Sequence, residues 1–171
     1  MSEAVSGSKQ AATPTLAGQR RQVTVLFADM AGYTALAEKI GEEQTYLLMQ
    51  KVHQGLSEAV HAHDGTVQKM TGDGIMALFG APIALENAPL RACQAAMDIQ
   101  ARMGALAKGF QVKHGTAPYF RVGIHSGPLI VGEVGDAQQS GVTAMGDTVN
   151  LASRIEGAAE PGKILLPWTT R

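Results

Sequence analysis

The stretch Val23–Thr34, which reads VTVLFADMAGYT, decides the fold of this chain of 171 residues. Its first part, Val23–Phe27, is an apolar and β-branched run that is typical of a buried central strand. Asp29 follows that strand, and Gly32 then lets the backbone approach a ligand closely before a short helix starts at Tyr33. Free N–H groups at the start of such a helix suit a phosphate. The stretch therefore predicts a strand, a carboxylate and a phosphate-binding helix start in succession.

A second aspartate lies in a comparable setting further along the chain. Thr66–Met70 and Ile75–Phe79 flank the segment TGDG, a pattern that predicts a β-hairpin with Asp73 at its tip. If this hairpin pairs beside the first strand, the carboxylates of Asp29 and Asp73 converge at one end of the sheet, where the carbonyl of Met30 adds an oxygen. Two such carboxylates can hold hard divalent cations. Two metals can clamp the attacking and leaving oxygens of a phosphoryl transfer.

Each aspartate also has a simpler interpretation. Taken alone, Asp29 would cap the N-terminus of the following helix, and Asp73 would form the turn of its hairpin. For either aspartate alone these structural roles are favoured, and the two flanking contexts together raise the metal pair as the alternative.

The remaining periodicity predicts three longer helices. Glu42–His63 is amphipathic, with apolar residues at helical spacing. A second helix begins after Asn87, a candidate N-cap, with Pro89 in its first turn. A third helix begins near Asp147, another candidate N-cap, and ends near Gly157. The buried stripe of the second helix is expected to be Ala92, Ala96, Ile99, Met103 and Leu106.

Further strands are predicted at Phe120–His125, Leu129–Val134, Val142–Met145 and Lys163–Leu166, the first two separated by a turn at residues 126–128. The resulting order βαββαβ, with additional strands, predicts an α/β (α+β) sandwich with a ferredoxin-like core. The first 19 residues are rich in Ser, Gly, Ala, Gln and Thr and are expected to form a tail or linker. Residues 20–171 are expected to form one domain.

The composition narrows the class of protein. Fourteen basic and 15 acidic residues give a formal net charge of −1, so no general field attracts nucleic acid or an anionic membrane. The single cysteine, Cys93, excludes an internal disulfide framework and suits a reducing compartment. No apolar run approaches the length of a membrane span, and the N-terminus lacks a signal peptide. These features predict a soluble, cytoplasmic fragment with no nucleic acid and no membrane contact.

A third segment, Gly146–Arg154 with the sequence GDTVNLASR, completes a set of motifs with the stretches around Asp29 and Asp73. Over about residues 20 to 167 the chain resembles the catalytic domain of the class III nucleotidyl (adenylate/guanylate) cyclases of bacterial type. The resemblance implies an adenylate cyclase that holds two divalent cations, Mg²⁺ or Mn²⁺, on Asp29, Asp73 and the Met30 carbonyl. The ribose 3′-hydroxyl of ATP would then attack the α-phosphate and give 3′,5′-cyclic AMP and pyrophosphate.

The resemblance assigns recognition of the adenine base to Lys69 and Thr143. The N1 atom of adenine accepts a hydrogen bond, and an ammonium only donates, whereas the guanine edge carries a proton. Leaving a buried donor unpaired would cost about 1–3 kcal/mol. The alternative for Lys69 is a surface ion pair with Asp73, and for Thr143 a role as a β-branched strand residue.

Asn150 and Arg154 are four residues apart and share one face of the predicted third helix. The resemblance implies that Asn150 orients the ribose and that Arg154 stabilises charge on the transferring phosphate, which a planar guanidinium suits. The alternatives are a weak interior helix residue for Asn150 and a solvated charge for Arg154. Gly32, Tyr33 and Thr34 complete the expected substrate-binding residues.

In this family the active site forms between two chains in a head-to-tail homodimer, and the resemblance implies the same here. The metals bind one chain, and the residues for the base, ribose and transition state come from the other. Lys69 and Asp73 would then serve opposite sites, which separates a lysine from the cations it would repel. A monomer would be inactive, and the parent protein is expected to carry attached regulatory domains.

Two departures from the family pattern set a limit on this interpretation. The family domain continues past Ile164–Leu166 into strands with a lysine that binds the triphosphate, so the domain is expected to be C-terminally truncated. The region near Pro128 also lacks a basic residue that some members carry. The alternative function is a non-enzymatic cyclase-like module that binds nucleotide or dimerises to regulate attached domains.

Overall fold

The computed structural model describes residues 19–134 and 141–167. Six strands form one sheet: β1 (Gln19–Ala31), β2 (Thr66–Met70), β3 (Gly74–Phe79), β4 (Tyr119–Val134), β5 (Gly141–Met145) and β6 (Ile164–Leu165). Four helices connect them: α1 (Tyr33–Ile40), α2 (Glu42–Ala62), α3 (Ala88–His114) and α4 (Asp147–Ala158). The strand order is β2-β3-β1-β4-β5, with β6 parallel to β4. The predicted βαββαβ core with additional strands is confirmed.

The sheet separates two apolar cores because side chains alternate across each strand. On one face α2 and α3 cover Leu26, Ala28 and Phe120, among other strand residues. On the other face α4 covers a smaller core that includes Val25 and Leu129. The central strand β1 is buried on both faces, as its continuous apolar sequence predicts.

The predicted turn at residues 126–128 is wrong, because β4 runs without interruption from Tyr119 to Val134. Gly127 and Pro128 lie in the strand opposite Val23 and Gln22 of β1. Pro128 falls between the part of β4 that pairs with β6 and the part that pairs with β5, where a missing N–H costs little. Gly127 is needed for packing, since a Cβ there would lie 2.6 Å from the hydroxyl of Thr148 in α4.

Of the two candidate N-caps, Asn87 is confirmed in position and Asp147 is not. Asn87 occupies the N-cap position of α3 in the left-handed region, with φ of 59°, but its side chain makes no capping hydrogen bond. The N-cap of α4 is Gly146, and Asp147 is the first helical residue. There its carboxylate still favours the helix, since a negative charge complements the N-terminal end of the helix dipole.

The other elements follow the sequence pattern closely. The helix expected at Glu42–His63 is α2, which ends at Ala62, and the hairpin has the expected strands. The expected stripe of α3 faces the core, with Leu106 at its partly buried margin. The tail expected at residues 1–19 lies outside the described residues, except that β1 already begins at Gln19.

Candidate active site

The two aspartate motifs are joined through their backbones. In the β1–β3 ladder Asp29 lies opposite Gly74, the residue that follows Asp73. One step beyond the ladder, the N–H of Met30 donates to the carbonyl of Asp73 at 2.9 Å. The two strands approach so closely here that a Cβ on Gly74 would lie 1.9 Å from the carbonyl oxygen of Ala28. The pairing therefore brings Asp29 and Asp73 together at the end of β1.

The tip of the hairpin is held in place by its own residues and by α2. The hydroxyl of Thr71 donates to Oδ1 of Asp73 at 3.2 Å, and the Thr71 N–H donates to the carbonyl of Gly74 at 3.0 Å. The Thr71 carbonyl is in turn 2.9 Å from Nε2 of His53. Asp73 thus projects from a loop whose backbone and side chain are both anchored.

Helix α1 begins directly beside this pair. Gly32 is its N-cap, in the left-handed region with φ of 69°, and no side chain caps the helix start. Gly32 accepts the first intrahelical bond, from Leu36, at 3.0 Å. The first-turn N–H groups, which include those of Tyr33 and Thr34, therefore have no capping side chain and suit an anion.

A residue that the sequence reasoning missed completes the cluster of carboxyl groups. Glu156 of α4 is only 6% exposed, and its carboxyl group lies beside that of Asp29. Burial raises the pKa of Glu156 to about 8, with further upward contributions from the Asp29 carboxyl group and the charge of Asp73. The charge of Arg121 acts in the opposite direction. Thr148, Ala152 and Glu156 follow one another at four-residue spacing on the buried stripe of α4. The sequence signal for Glu156 was therefore an acidic residue at a position where this spacing predicts an apolar one.

Arg121 is the second residue that the sequence reasoning missed. It lies on β4 directly opposite Asp29. Its Nε atom is buried and has no hydrogen-bond partner within residues 19–134 and 141–167. A positive charge therefore adjoins the carboxyl groups, as expected where negative charge is concentrated.

Two glycines of β4 allow α4 to lie against the sheet. A Cβ on Gly123 would lie 2.3 Å from the backbone nitrogen of Glu156, and Gly127 makes the corresponding approach to Thr148. The Thr148 hydroxyl also donates to the carbonyl of Pro128 at 2.7 Å. The approach at Gly123 thus fixes the position of Glu156, and the contacts of Thr148 fix the first turn of α4.

The other predicted site residues do not join this cluster. Asn150 and Arg154 are exposed on the side of α4 that faces away from the sheet. Lys69 is exposed on β2, opposite Met76. Thr143 lies opposite Gly132 in the β4–β5 ladder, and its side chain is outside the described ones. No ion pair found in the described part of the chain involves Lys69, so the alternative of a Lys69–Asp73 pair is absent there.

The donor set fits a cation that the substrate helps to bind. The described residues contain no group of three or more His, Cys, Asp or Glu side chains placed to hold a metal ion alone. Asp29 and Asp73 supply carboxylate oxygens, and the Met30 carbonyl is a third candidate donor. Mg²⁺ typically binds one or two carboxylates and takes its remaining ligands from water and substrate phosphates. The residues present therefore fit such an ion.

Two further side chains, Cys93 and His125, are partly buried. Cys93 is partly buried against the larger core, and burial raises the pKa of its thiol, which disfavours the reactive thiolate. Burial lowers the pKa of His125, whose Nδ1 atom has no partner among the described residues.

No described helix combines the length and the apolar character that a bilayer crossing requires.

The fold and the paired aspartates define a nucleotide cyclase domain, and comparison with known proteins supports this class. The chain belongs to the family described as the adenylate and guanylate cyclase catalytic domain, whose sequence model matches residues 16–171. It is similar to adenylate cyclase 1 of Rhizobium meliloti (strain 1021), with 36% identity over 143 residues, 82% of this chain and 21% of that protein. The chain thus spans about a fifth of the length of that relative.

Two solved structures show the same fold. The adenylyl cyclase CyaB from P. aeruginosa matches with a TM-score of 0.82 and 31% identity, over 89% of this chain and 79% of that one. The guanylyl cyclase Cya2 matches with a TM-score of 0.83 and 28% identity, over 90% of this chain and 78% of that one. The family and fold predictions are confirmed.

Proposed function

We propose that this domain is an adenylate cyclase that converts ATP to 3′,5′-cyclic AMP and pyrophosphate in the cytoplasm. The observation that carries the proposal is the hydrogen bond between Met30 N–H and the Asp73 carbonyl, which brings the two aspartates together beside the uncapped start of α1. A pair of carboxylates next to a helix N-terminus is suited to a nucleotide triphosphate with its cations.

The chemistry is an in-line displacement at the α-phosphorus. The bond from the ribose 3′-oxygen to this phosphorus forms, the bond from the phosphorus to the bridging oxygen of pyrophosphate breaks, and the 3′-hydroxyl proton passes to solvent. Two divalent cations, Mg²⁺ or Mn²⁺, when held by Asp29, Asp73 and the Met30 carbonyl, would lower the pKa of that hydroxyl and neutralise charge. Gly32, Tyr33 and Thr34 bind the phosphates through the backbone of the helix start, so catalysis is positioning plus charge stabilisation.

Selection of adenine is assigned to Lys69 and Thr143. Lys69 is exposed and has no ion pair within the described chain, so its ammonium group is available to a nucleotide base. An ammonium donates to the acceptor N1 of adenine and opposes the protonated edge of guanine. The threonine hydroxyl can donate or accept and is compatible with either base.

The remaining roles require a second copy of the chain in a head-to-tail homodimer. Asn150 and Arg154 lie on the exposed side of α4, whereas Glu156 on the opposite side contacts Asp29 of the same chain. This division supports an arrangement in which Asn150 orients the ribose and Arg154 stabilises the transferring phosphate in the partner's site. The family resemblance supplies these two roles.

The test is cyclic nucleotide formation from ATP and from GTP, with Mn²⁺, at several protein concentrations. We expect cyclic AMP to be the main product, with a rate that rises more steeply than linearly with protein, and we expect Asp29→Ala to be inactive. Cyclic GMP as the main product would contradict the substrate assignment. If nucleotide binding in a thermal-shift assay is independent of Mn²⁺ and no cyclic nucleotide forms, the result would instead support the non-enzymatic module.

A further inference from the structure

Among the described residues, Glu156 is the one acidic or basic residue whose side chain is buried. Buried carboxyl groups are rare unless they are paired, since removing a charge from water is costly. Its neighbour here is Asp29, whose carboxyl group lies close enough to act on that of Glu156. A buried polar side chain on a helix that otherwise packs through Thr148 and Ala152 therefore reaches into the candidate active site.

The surroundings leave Glu156 little freedom to lie elsewhere. Its backbone is pressed against Gly123, where a Cβ would approach its nitrogen to 2.3 Å and its Cα to 2.5 Å. Gly123 lies two residues along β4 from Arg121, and Arg121 is directly opposite Asp29 in the ladder. Three residues from different elements therefore lie near Asp29. They are Glu156 of α4, Arg121 of β4 and Asp73 of the hairpin.

We propose that Glu156 is a positioning residue that fixes the Asp29 carboxyl group in the orientation required for a divalent cation. The proposal rests on the proposed function, because it takes Asp29 as a metal ligand. Groups that hydrogen-bond to a ligating carboxylate orient it, and their removal typically lowers metal affinity by about 10–100-fold.

The test measures the apparent Mn²⁺ affinity by electron paramagnetic resonance in the presence of 3′-deoxy-ATP, which supplies the phosphate ligands but lacks the attacking hydroxyl, so that no turnover occurs. Glu156→Met keeps the length of the side chain but cannot hydrogen-bond, and we expect it to weaken Mn²⁺ binding about tenfold or more. Glu156→Gln retains a donor for Asp29, and we expect its Kd to stay within about threefold of wild type. Thr148→Val is the matched control, because it removes a buried hydrogen bond from the same stripe of α4 away from Asp29.

The control is expected to melt at a lower temperature and to bind Mn²⁺ as wild type does. Wild-type affinity in Glu156→Met, or equal losses in the Met and Gln variants, would overturn the positioning role. If the Met variant does not fold, Glu156→Gln decides alone, and a loss of about tenfold or more there overturns the proposal. Asp29→Ala distinguishes a failure of the positioning role from a failure of the proposed function. Wild-type Mn²⁺ affinity in Asp29→Ala would contradict the proposed function itself.

Discussion

The N–H of Met30 donates to the carbonyl of Asp73 at 2.9 Å, immediately beyond the last residue pair of the β1–β3 ladder. Met30 directly follows Asp29, so this bond joins the two segments that carry the aspartates. The positions of the two aspartates on their backbones are therefore set by main-chain pairing, which is more rigid than contact between side chains.

The closeness of this pairing makes Gly74 irreplaceable. In Gly74→Ala the new methyl group would lie 1.9 Å from the carbonyl oxygen of Ala28, so we expect the ladder to separate and the free energy of unfolding to fall by about 3 kcal/mol or more. Cyclase activity should be lost with it. Denaturant unfolding followed by circular dichroism measures the loss.

Gly72→Ala is the control for this substitution, in the same hairpin. A Cβ at Gly72 would meet no atom within 4 Å. We expect its unfolding free energy to stay within about 1 kcal/mol of wild type. Equal stability of the two alanine variants would show that the tight approach at Gly74 does not matter.

The shared site can be tested by mixing two inactive variants. Asp29→Ala removes a metal ligand from one chain, and Arg154→Ala removes the phosphate-stabilising group that the proposal assigns to the other. A mixed dimer holds one fully intact site, so an equal mixture should recover about a quarter of wild-type cyclic AMP formation. No recovery, although the variants exchange subunits, would contradict a site built from two chains.

Lys69 should determine which base is accepted. Lys69→Glu replaces a donor by an acceptor, and we expect the ratio of kcat/KM for ATP to that for GTP to fall by about tenfold or more. Lys51→Glu on the exposed side of α2 changes the net charge equally and should leave the ratio as in wild type. Equal falls in both variants would indicate a general charge effect rather than recognition of the base.

The burial of His125 predicts that the folded state loses stability as the pH falls. Burial lowers the pKa of His125 below its ordinary value of 6.5, so the unfolded chain takes up the proton first as the pH falls. The folded state therefore loses stability from about pH 6.5 downward through the folded-state pKa. The unfolding free energy of wild type minus that of His125→Gln should decrease between about pH 7 and pH 5. A difference that stays constant over this range would show that His125 titrates alike in both states.

Much of this architecture could be predicted from local pattern. The apolar run of β1, the hairpin around Asp73 and the helical periodicity of α2 and α3 are strong signals, and each confirmed element has its own repeat of apolar residues. The failure at residues 126–128 has a clear cause. Gly127 and Pro128 usually signal a turn, but here Gly127 makes room for Thr148, a residue twenty-one positions later in the chain.

Glu156 and Arg121 were missed for a related reason. Their importance depends on which residue lies opposite, and nothing near them in the sequence indicates Asp29. An acidic residue on a helix normally signals a solvated face. Only the packing of α4 on β4 turns Glu156 inward.

The sequence by itself determined most of the elements and the family, and it pointed to the two aspartates, because apolar periodicity, turn residues and short motifs are local properties of the chain. The tertiary structure alone decided that β4 continues through Gly127, that Gly74 admits the Met30–Asp73 hydrogen bond, and that Glu156 meets Asp29. Each of these depends on the close approach of backbones from distant segments. Such an approach is set by strand pairing and by the absence of a Cβ at the point of contact, and no single segment contains that information.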